Sequence, residues 1–463
     1  MALRLDVTCL VRGGPQGELG VDPAELDAAA RRHGERLAAL AAGRRAGKLG
    51  FLDLPDDREA LHQVEAYAAA RRGRYENVVV LGIGGSALGT LALHAALSPA
   101  LHNIQRPQHN HRPKLFVVDN VDPTLVAGVL RLANPATSVF NVISKSGTTA
   151  ETMAQLLLFL EALKTALGDG WREHVVVTTD GKSGALRPFA EKNDLPCFTI
   201  PDNVGGRFSV LTPVGLLPGA LMGWDLRELL AGAAVGRERG LEKDFRRNPA
   251  ALLAVMRWLL DTAHGCNVQV LFPYSHRLRM LADWHTQLVA ESLGKRTAGG
   301  RGVGPTPHKA LGATDQHSQV QLFAQGPPDK VFDFLFVEHH PDEVAIPAAP
   351  PDLAGLEYLE GKDFGQLLGA EGRATFLALV DAGRPCSLTT FPEVDARHVG
   401  EWLMWQMIAT AYAGLLYEVD AFDQPGVEAA KVATYGLMGR KGFEKEAERI
   451  RARKLSDPKW VVG

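Results

Sequence analysis

Apolar residues along this chain fall into two alternating registers. Short, almost wholly apolar runs at 78–81, 115–118, 139–143, 175–179 and 197–200 predict strands. Apolar positions at helical spacing near 86–98, 123–133, 149–168 and 184–192 predict the helices between them. Strands without polar alternation, joined by helices, predict a parallel sheet covered on both faces. A mainly helical stretch, 213–264, follows. The alternation then restarts, with strands at 268–272, 331–337 and 386–390 and helices at 277–293, 314–325, 364–382 and 397–417. The fold class expected is α/β, with two domains, each a parallel sheet flanked by helices. Residues 1–50 are expected to form a helical extension packed on the first domain. That domain then runs over 51–230, with a helix near 62–72, and the second over 231–425. Residues 426–463 are read as a C-terminal helical segment ending in a charged helix and tail, and the Pro-rich run 340–351 as a surface connection.

Composition narrows the classes of function. The 463 residues are 46% hydrophobic and 22% charged, ordinary values for a soluble globular protein. With 50 basic against 53 acidic residues, no basic excess argues for a nucleic-acid partner. Residues 77–100 hold no Asp, Glu, Lys or Arg and are long enough to cross a bilayer. Gly82, Gly84, Gly85 and Ser86 interrupt the run, and loop backbone is costly in lipid, so a buried strand, turn and helix is expected and no membrane partner. Arg4 and Asp6 break the apolar core that an export signal would need. Cys9, Cys197, Cys266 and Cys386 form no CxxC pair, which fits a reducing cytoplasm and neither a disulfide framework nor a zinc site. His102, His109 and His111 lie close in sequence without a Cys or carboxylate nearby, and an exposed loop is expected there rather than a metal site.

Candidate chemistry gathers at loops that follow predicted strands, the edge where ligands bind in parallel sheets. In SVFNVISKSGTTAET, 138–152, a strand ends at the hydroxyls of Ser144, Ser146, Thr148 and Thr149, the Lys145 ammonium and the Gly147 backbone, just before a helix. That is a phosphate cradle in outline. The competing reading is a capping box from Thr148 to Glu151. GIGGSALG, 82–89, satisfies GxGxxA, but the acidic residue that a dinucleotide fold requires is Asp119, far beyond the usual spacing. Gly84, Gly85 and Ser86 would otherwise let a substrate approach the backbone. In DNVGGRFSVLTPVG, 202–215, two glycines allow a sharp turn that aims Arg207 into a cleft, against a developing anion. Gln287 and Glu291 share a helix face, with Glu291 beside an apolar stripe that suits a general base; the competing reading pairs Glu291 with Lys295 on the surface. His317 in TDQHSQ is a candidate acid or base near neutral pH. Lys431, in FDQPGVEAAK, stands at salt-bridge spacing from Glu428.

Taken in order, GIGGSALG, SKSGTTAET, DNVGGRFSVLTPVG, QLVAESLGK, GATDQHSQVQLFAQG and FDQPGVEAAK resemble the glucose-6-phosphate isomerase family, in its compact bacterial form, from residue 82 to 431. The resemblance implies two sugar isomerase domains, a homodimer with a shared active site, and reversible isomerisation of glucose 6-phosphate and fructose 6-phosphate without cofactor or metal. It places Ser144, Lys145, Ser146 and Thr149 on the phosphate, with Gly85 and Ser86 nearby. It assigns ring opening to His317, supplied by the partner subunit, and to Lys431. Glu291 then carries a proton between C2 and C1 through a cis-enediol, Arg207 stabilises the negative charge, and Gln287 orients the substrate. A non-enzymatic sugar-phosphate sensor would need the phosphate loops but not Glu291, Arg207, His317 and Lys431 together.

Overall fold

The computed structural model describes residues 2–15, 17–105, 112–453 and 455–463. Along the chain the strands are β1 (Arg4–Asp6), β2 (Asn77–Leu81), β3 (Lys114–Val118), β4 (Ser138–Ser144), β5 (Val175–Asp180), β6 (Cys197–Ile200), β7 (Val268–Pro273), β8 (Lys295–Arg296), β9 (Gly302–Val303), β10 (Thr306–Lys309), β11 (Lys330–His339) and β12 (Cys386–Glu393). The first sheet has the order β3-β2-β4-β5-β6 and is parallel throughout. Every residue of β2, β4 and β5 is buried, because helices cover both faces. Polar side chains bond from strand to strand: Asn141 Oδ1 accepts from Thr178 Oγ1 at 2.9 Å, and Thr179 Oγ1 donates to Ser144 O at 2.7 Å. Helices Leu88–Leu97, Pro123–Leu132, Ala150–Leu167 and Leu186–Lys192 connect the strands, close to the expected positions.

The second sheet has the order β1-β12-β11-β7-β10, with β1 antiparallel and the rest parallel. Each unit is thus a mostly parallel sheet flanked by helices, an α/β layer structure as expected. Here the expectation for the N-terminal lead needs correction. Leu5 pairs with Thr389, so the first strand closes the edge of the second sheet instead of packing on the first domain. Helices Pro23–Arg31 and His33–Arg45 do form, and His33 Nδ1 lies 3.0 Å from Tyr412 Oη, again on the second unit's side. The stretch 213–264 resolves into helices Pro213–Met222, Leu226–Gly240 and Pro249–His264, the first and last ended by left-handed Gly223 and Gly265.

One continuous core runs from Leu3 to Tyr417 and joins the inner faces of both sheets. Helix Ala396–Tyr417 is its axis. It is buried along nearly its whole length, with Trp402, Trp405 and Tyr412 fully enclosed and its buried Glu401 and Gln406 held by Arg239 and Arg257. Gly232, Gly236 and Gly400 let it lie against helix Leu226–Gly240: a Cβ on Gly400 would stand 2.0 Å from Leu229 O. Beneath it Arg257 and Asp333 form a buried ion pair at 3.0 Å, and Ser387 Oγ donates to Asp333 at 2.5 Å. The last helices, Glu428–Leu437 and Glu444–Arg451, pack on each other and leave most of their surface exposed.

No helix among the described residues is long and apolar enough to cross a membrane. All four cysteines carry free thiols. His102 is buried rather than exposed, with Nε2 2.8 Å from Pro113 O, because it fills the space beside His94. His109 and His111 lie outside the described residues. Segment 340–351 is mostly exposed, as expected.

Candidate active site

The loops at the carboxyl ends of adjacent strands β2 and β4 bring the first set of groups together. After β4, Ser144 Oγ lies 2.8 Å from Thr149 Oγ1 and 3.5 Å from Ser146 Oγ, so three hydroxyls converge. Gly147 turns with φ +62°, and its N–H donates to Ser144 Oγ at 3.1 Å. Gly184 crosses this loop so closely that a Cβ there would stand 2.1 Å from Ser146 O. The capping-box reading does not hold. The residue before helix Ala150–Leu167, its N-cap, is Thr149 and not Thr148, and the Thr149 side chain makes no capping bond, so the first amides keep their donors for an anion.

Lys145 does not point into this cluster. Its ammonium donates to Asp202 O at 2.8 Å and Val204 O at 2.7 Å, tying the cradle to the loop before Arg207. Burial pushes its pKa down, against the pull of Asp180 and Asp202. Ser86 ends a short turn, Gly84–Ser86, on the neighbouring loop. Gly84 sits at φ +58°, where a Cβ would meet Gln287 Nε2 at 3.0 Å. A Cβ on Gly85 would stand 2.3 Å from Gly206 C and 2.8 Å from Arg207 N. This close crossing is why glycine stands at 85. The turn expected at 205–206 forms, with Phe208 N–H donating to Gly205 O at 3.0 Å, but Gly205 has an ordinary φ of −66°, so the turn does not draw on glycine's left-handed conformation there.

Arg207 is buried and fully engaged. Nε donates to Ser292 Oγ at 2.7 Å, Nη1 to Glu291 Oε2 at 3.3 Å and to Gln424 Oε1 at 3.0 Å, and Nη2 to Ala421 O at 2.5 Å and Asp423 O at 2.9 Å. Burial lowers its pKa, opposed chiefly by Glu291. Gln287 and Glu291 lie on one face of helix Arg279–Leu293, and Gln287 Nε2 donates to Glu291 Oε1 at 2.9 Å. Gln287 Oε1 is buried without a partner among the described residues. The surface pairing of Glu291 with Lys295 is absent, because Lys295 turns to the 420–423 loop. Glu291 borders an open cavity of about 880 Å³ that Lys295, Asp423, Gln424 and Gly426 also line.

Two expected residues make no described bond to this cluster within the chain. His317 is exposed at the end of the turn Thr314–Gln316, and no described hydrogen bond links it to Glu291 or Arg207. Lys431 is exposed on helix Glu428–Leu437 and pairs with Glu428 at 2.7 Å. Gln424 and Ser292, which hold Arg207, were not singled out from sequence, although Gln424 lies inside FDQPGVEAAK. Glu393, Asp395 and His398 lie close enough together to hold a metal ion, but Asp395 there caps helix Ala396–Tyr417.

A sequence model of the family described as phosphoglucose isomerase matches residues 62–349. The whole chain is 43% identical to a glucose-6-phosphate isomerase of Carboxydothermus hydrogenoformans, with all of both chains covered. The chain belongs to the phosphoglucose isomerase family. It is also 45% identical over 395 residues to a glucose-6-phosphate isomerase of Thermus thermophilus, covering 83% of this chain and 89% of the relative. Among solved structures, a hypothetical protein from Thermus thermophilus superposes with a TM-score of 0.83 at 42% identity, covering 94% and 100% of the two chains. A glucose-6-phosphate isomerase from Chlamydia trachomatis gives a TM-score of 0.73 at 26% identity, covering 85% and 76%. The family match covers the loops that carry the hydroxyl cradle, Arg207, Gln287 and Glu291.

Proposed function

We propose that this site performs the reversible isomerisation of glucose 6-phosphate and fructose 6-phosphate, by ring opening and proton transfer through a cis-enediol. Membership of the family supports the reaction, and the Glu291–Arg207 pair beside a hydroxyl cradle is the observation that carries the mechanism. The phosphate takes Ser144, Ser146, Thr149 and the free amides of helix Ala150–Leu167, with Ser86 nearby. Lys145 acts here through its charge and through its hold on 202–204. A remote dianion held in this way provides binding energy for orienting the reacting carbons.

Isomerisation then needs one base that reaches both C1 and C2. Glu291 is partly exposed to the cavity, held on one oxygen by Gln287 and on the other by Arg207. It removes the C2 proton of the open aldose and returns it to C1, a hydroxyl proton passes from O2 to O1 in the enediol, and Arg207 offsets the charge of the enediolate. Arg207 needs no reorganisation for this, because its remaining nitrogens are fixed by Ser292, Ala421 and Asp423. His317 and Lys431 assist ring opening. His317 is exposed and makes no described bond to its own chain's cluster; in this reading it serves the site of a second copy, and the functional unit is a homodimer. A reducing cytoplasm suits the four free thiols.

The test is conversion of fructose 6-phosphate to glucose 6-phosphate by purified protein in EDTA, read through a coupled dehydrogenase. Robust turnover is expected. Fructose 6-phosphate binding without turnover would make the protein a sensor on an isomerase scaffold.

A further inference from the structure

Lys295 is a cation that this mechanism does not use. It lies four residues beyond Glu291, just past the end of helix Arg279–Leu293, and only 6% of its side chain is exposed. Its ammonium donates to Asp420 O, and to Asp423 O and Asp423 Oδ1, each at 2.6 Å. All its acceptors therefore belong to one loop. Arg207 holds the same loop from the other side, through Ala421 O and Asp423 O. Three backbone carbonyls between 420 and 423 are thus fixed by two cations, which share Asp423 O. The residue that follows is Gln424, whose Oε1 accepts from Arg207 Nη1, the nitrogen that also faces Glu291.

A buried ammonium is costly unless its donors are satisfied, so this one is committed to the loop. We propose that Lys295 is a positioning residue for the isomerisation. It clamps 420–424 to the end of the helix that carries Glu291, and so sets where Gln424 and Asp423 O hold Arg207 relative to the base. Without it, the loop's carbonyls are held by Arg207, which also faces Glu291 and the substrate. The competing anchor is Phe422, whose ring centroid lies 5.1 Å from Phe208 and 6.2 Å from Phe51. If that aromatic contact sufficed, the clamp would be redundant.

This inference rests on the isomerase reading, and the experiment separates the two. Full-length wild type, Lys295→Met, Lys295→Arg and Asp423→Asn are compared for kcat and KM with fructose 6-phosphate, and for hydrogen exchange at the amides of 420–427. Misplaced groups chiefly lower kcat, so Lys295→Met is expected to lose about tenfold or more in kcat with KM within about threefold. Exchange over 420–427 should quicken, and Lys295→Arg should recover part of both. Asp423→Asn, at a half-exposed side chain, should shift both readouts the same way but less, and it stands in should Lys295→Met fail to fold. Turnover within about twofold of wild type, or unchanged exchange over 420–427, would overturn the clamp. Lost turnover without faster exchange would mean that Lys295 acts on the substrate itself, and would overturn it equally. An inactive wild type would count against the isomerase reading alone, and the exchange data would then decide the clamp.

Discussion

Glu291→Gln isolates the proton transfer from the fold that supports it. Glu291 accepts from Gln287 Nε2 at 2.9 Å and from Arg207 Nη1 at 3.3 Å. A glutamine can keep its oxygen on Arg207 and turn its amide toward Gln287. There the Gln287 amide can flip, because its Oε1 is buried without a partner among the described residues. Arg207 loses a neutralising charge but retains Ser292, Gln424, Ala421 and Asp423 as acceptors. The stability cost should therefore be about 1 kcal/mol, the scale of one altered hydrogen bond. The catalytic cost is larger, because removing a positioned base loses about 10²–10⁴-fold, or roughly 3–5 kcal/mol of barrier. The coupled assay should show kcat falling by that factor, with KM and inhibition by inorganic phosphate unchanged within about threefold. A Gln variant within about threefold of wild-type kcat would refute Glu291 as the base.

Other expectations follow from the same geometry. Ser144→Ala with Thr149→Ala removes two of the converging hydroxyls, and should raise KM for fructose 6-phosphate about tenfold or more while weakening phosphate inhibition in parallel. Mixing inactive Glu291→Gln and His317→Ala subunits should restore about a quarter of wild-type activity if the site is shared across a two-fold dimer, and none if each chain is self-sufficient. Burial holds His285 at a pKa of about 3 and His94 at about 4, both below the ordinary 6.5. The unfolded chain thus binds more protons below pH 6.5, so their contribution is full above that pH and shrinks on acidification, by about 1.4 kcal/mol per unit for each group. Denaturant titrations at pH 7 and pH 5 should show that loss, and equal stabilities would contradict it. Asp333→Ala strands the buried Arg257 charge, and should lower stability by about 3–5 kcal/mol in the same titrations without altering KM.

The sheets were legible because their strands are buried on both faces and so read as unbroken apolar runs. Strands β1 and β10 were not, for a physical reason. They are edge strands of three and four residues, RLD and TPHK, too short and too polar to show any period. The hydroxyl cradle was legible from residue type and its place between strand and helix. Lys145 shows the limit of that reasoning, since the sequence put its charge beside the phosphate but could not show carbonyls of 202–204 receiving the ammonium. Glu291 and Lys295 show it again. Helical spacing allowed them to pair, and only the loop returning from 420–424 diverts the lysine. Gln424 and Ser292 could not have been found by local pattern, because each acquires its role from an arginine far away in sequence.

The central claim is that Glu291 moves a proton through an enediol. It is tested most directly by running the isomerisation of fructose 6-phosphate in D₂O and reading C2 of the glucose 6-phosphate by proton NMR. Glu291 is partly open to the cavity, so its acquired proton exchanges with solvent, and deuterium should enter at C2 during wild-type turnover and at no measurable rate with Glu291→Gln. Deuterium entering C2 with Glu291→Gln at the wild-type rate, or wild-type turnover that leaves C2 free of deuterium and so shows no base open to solvent, would contradict the account.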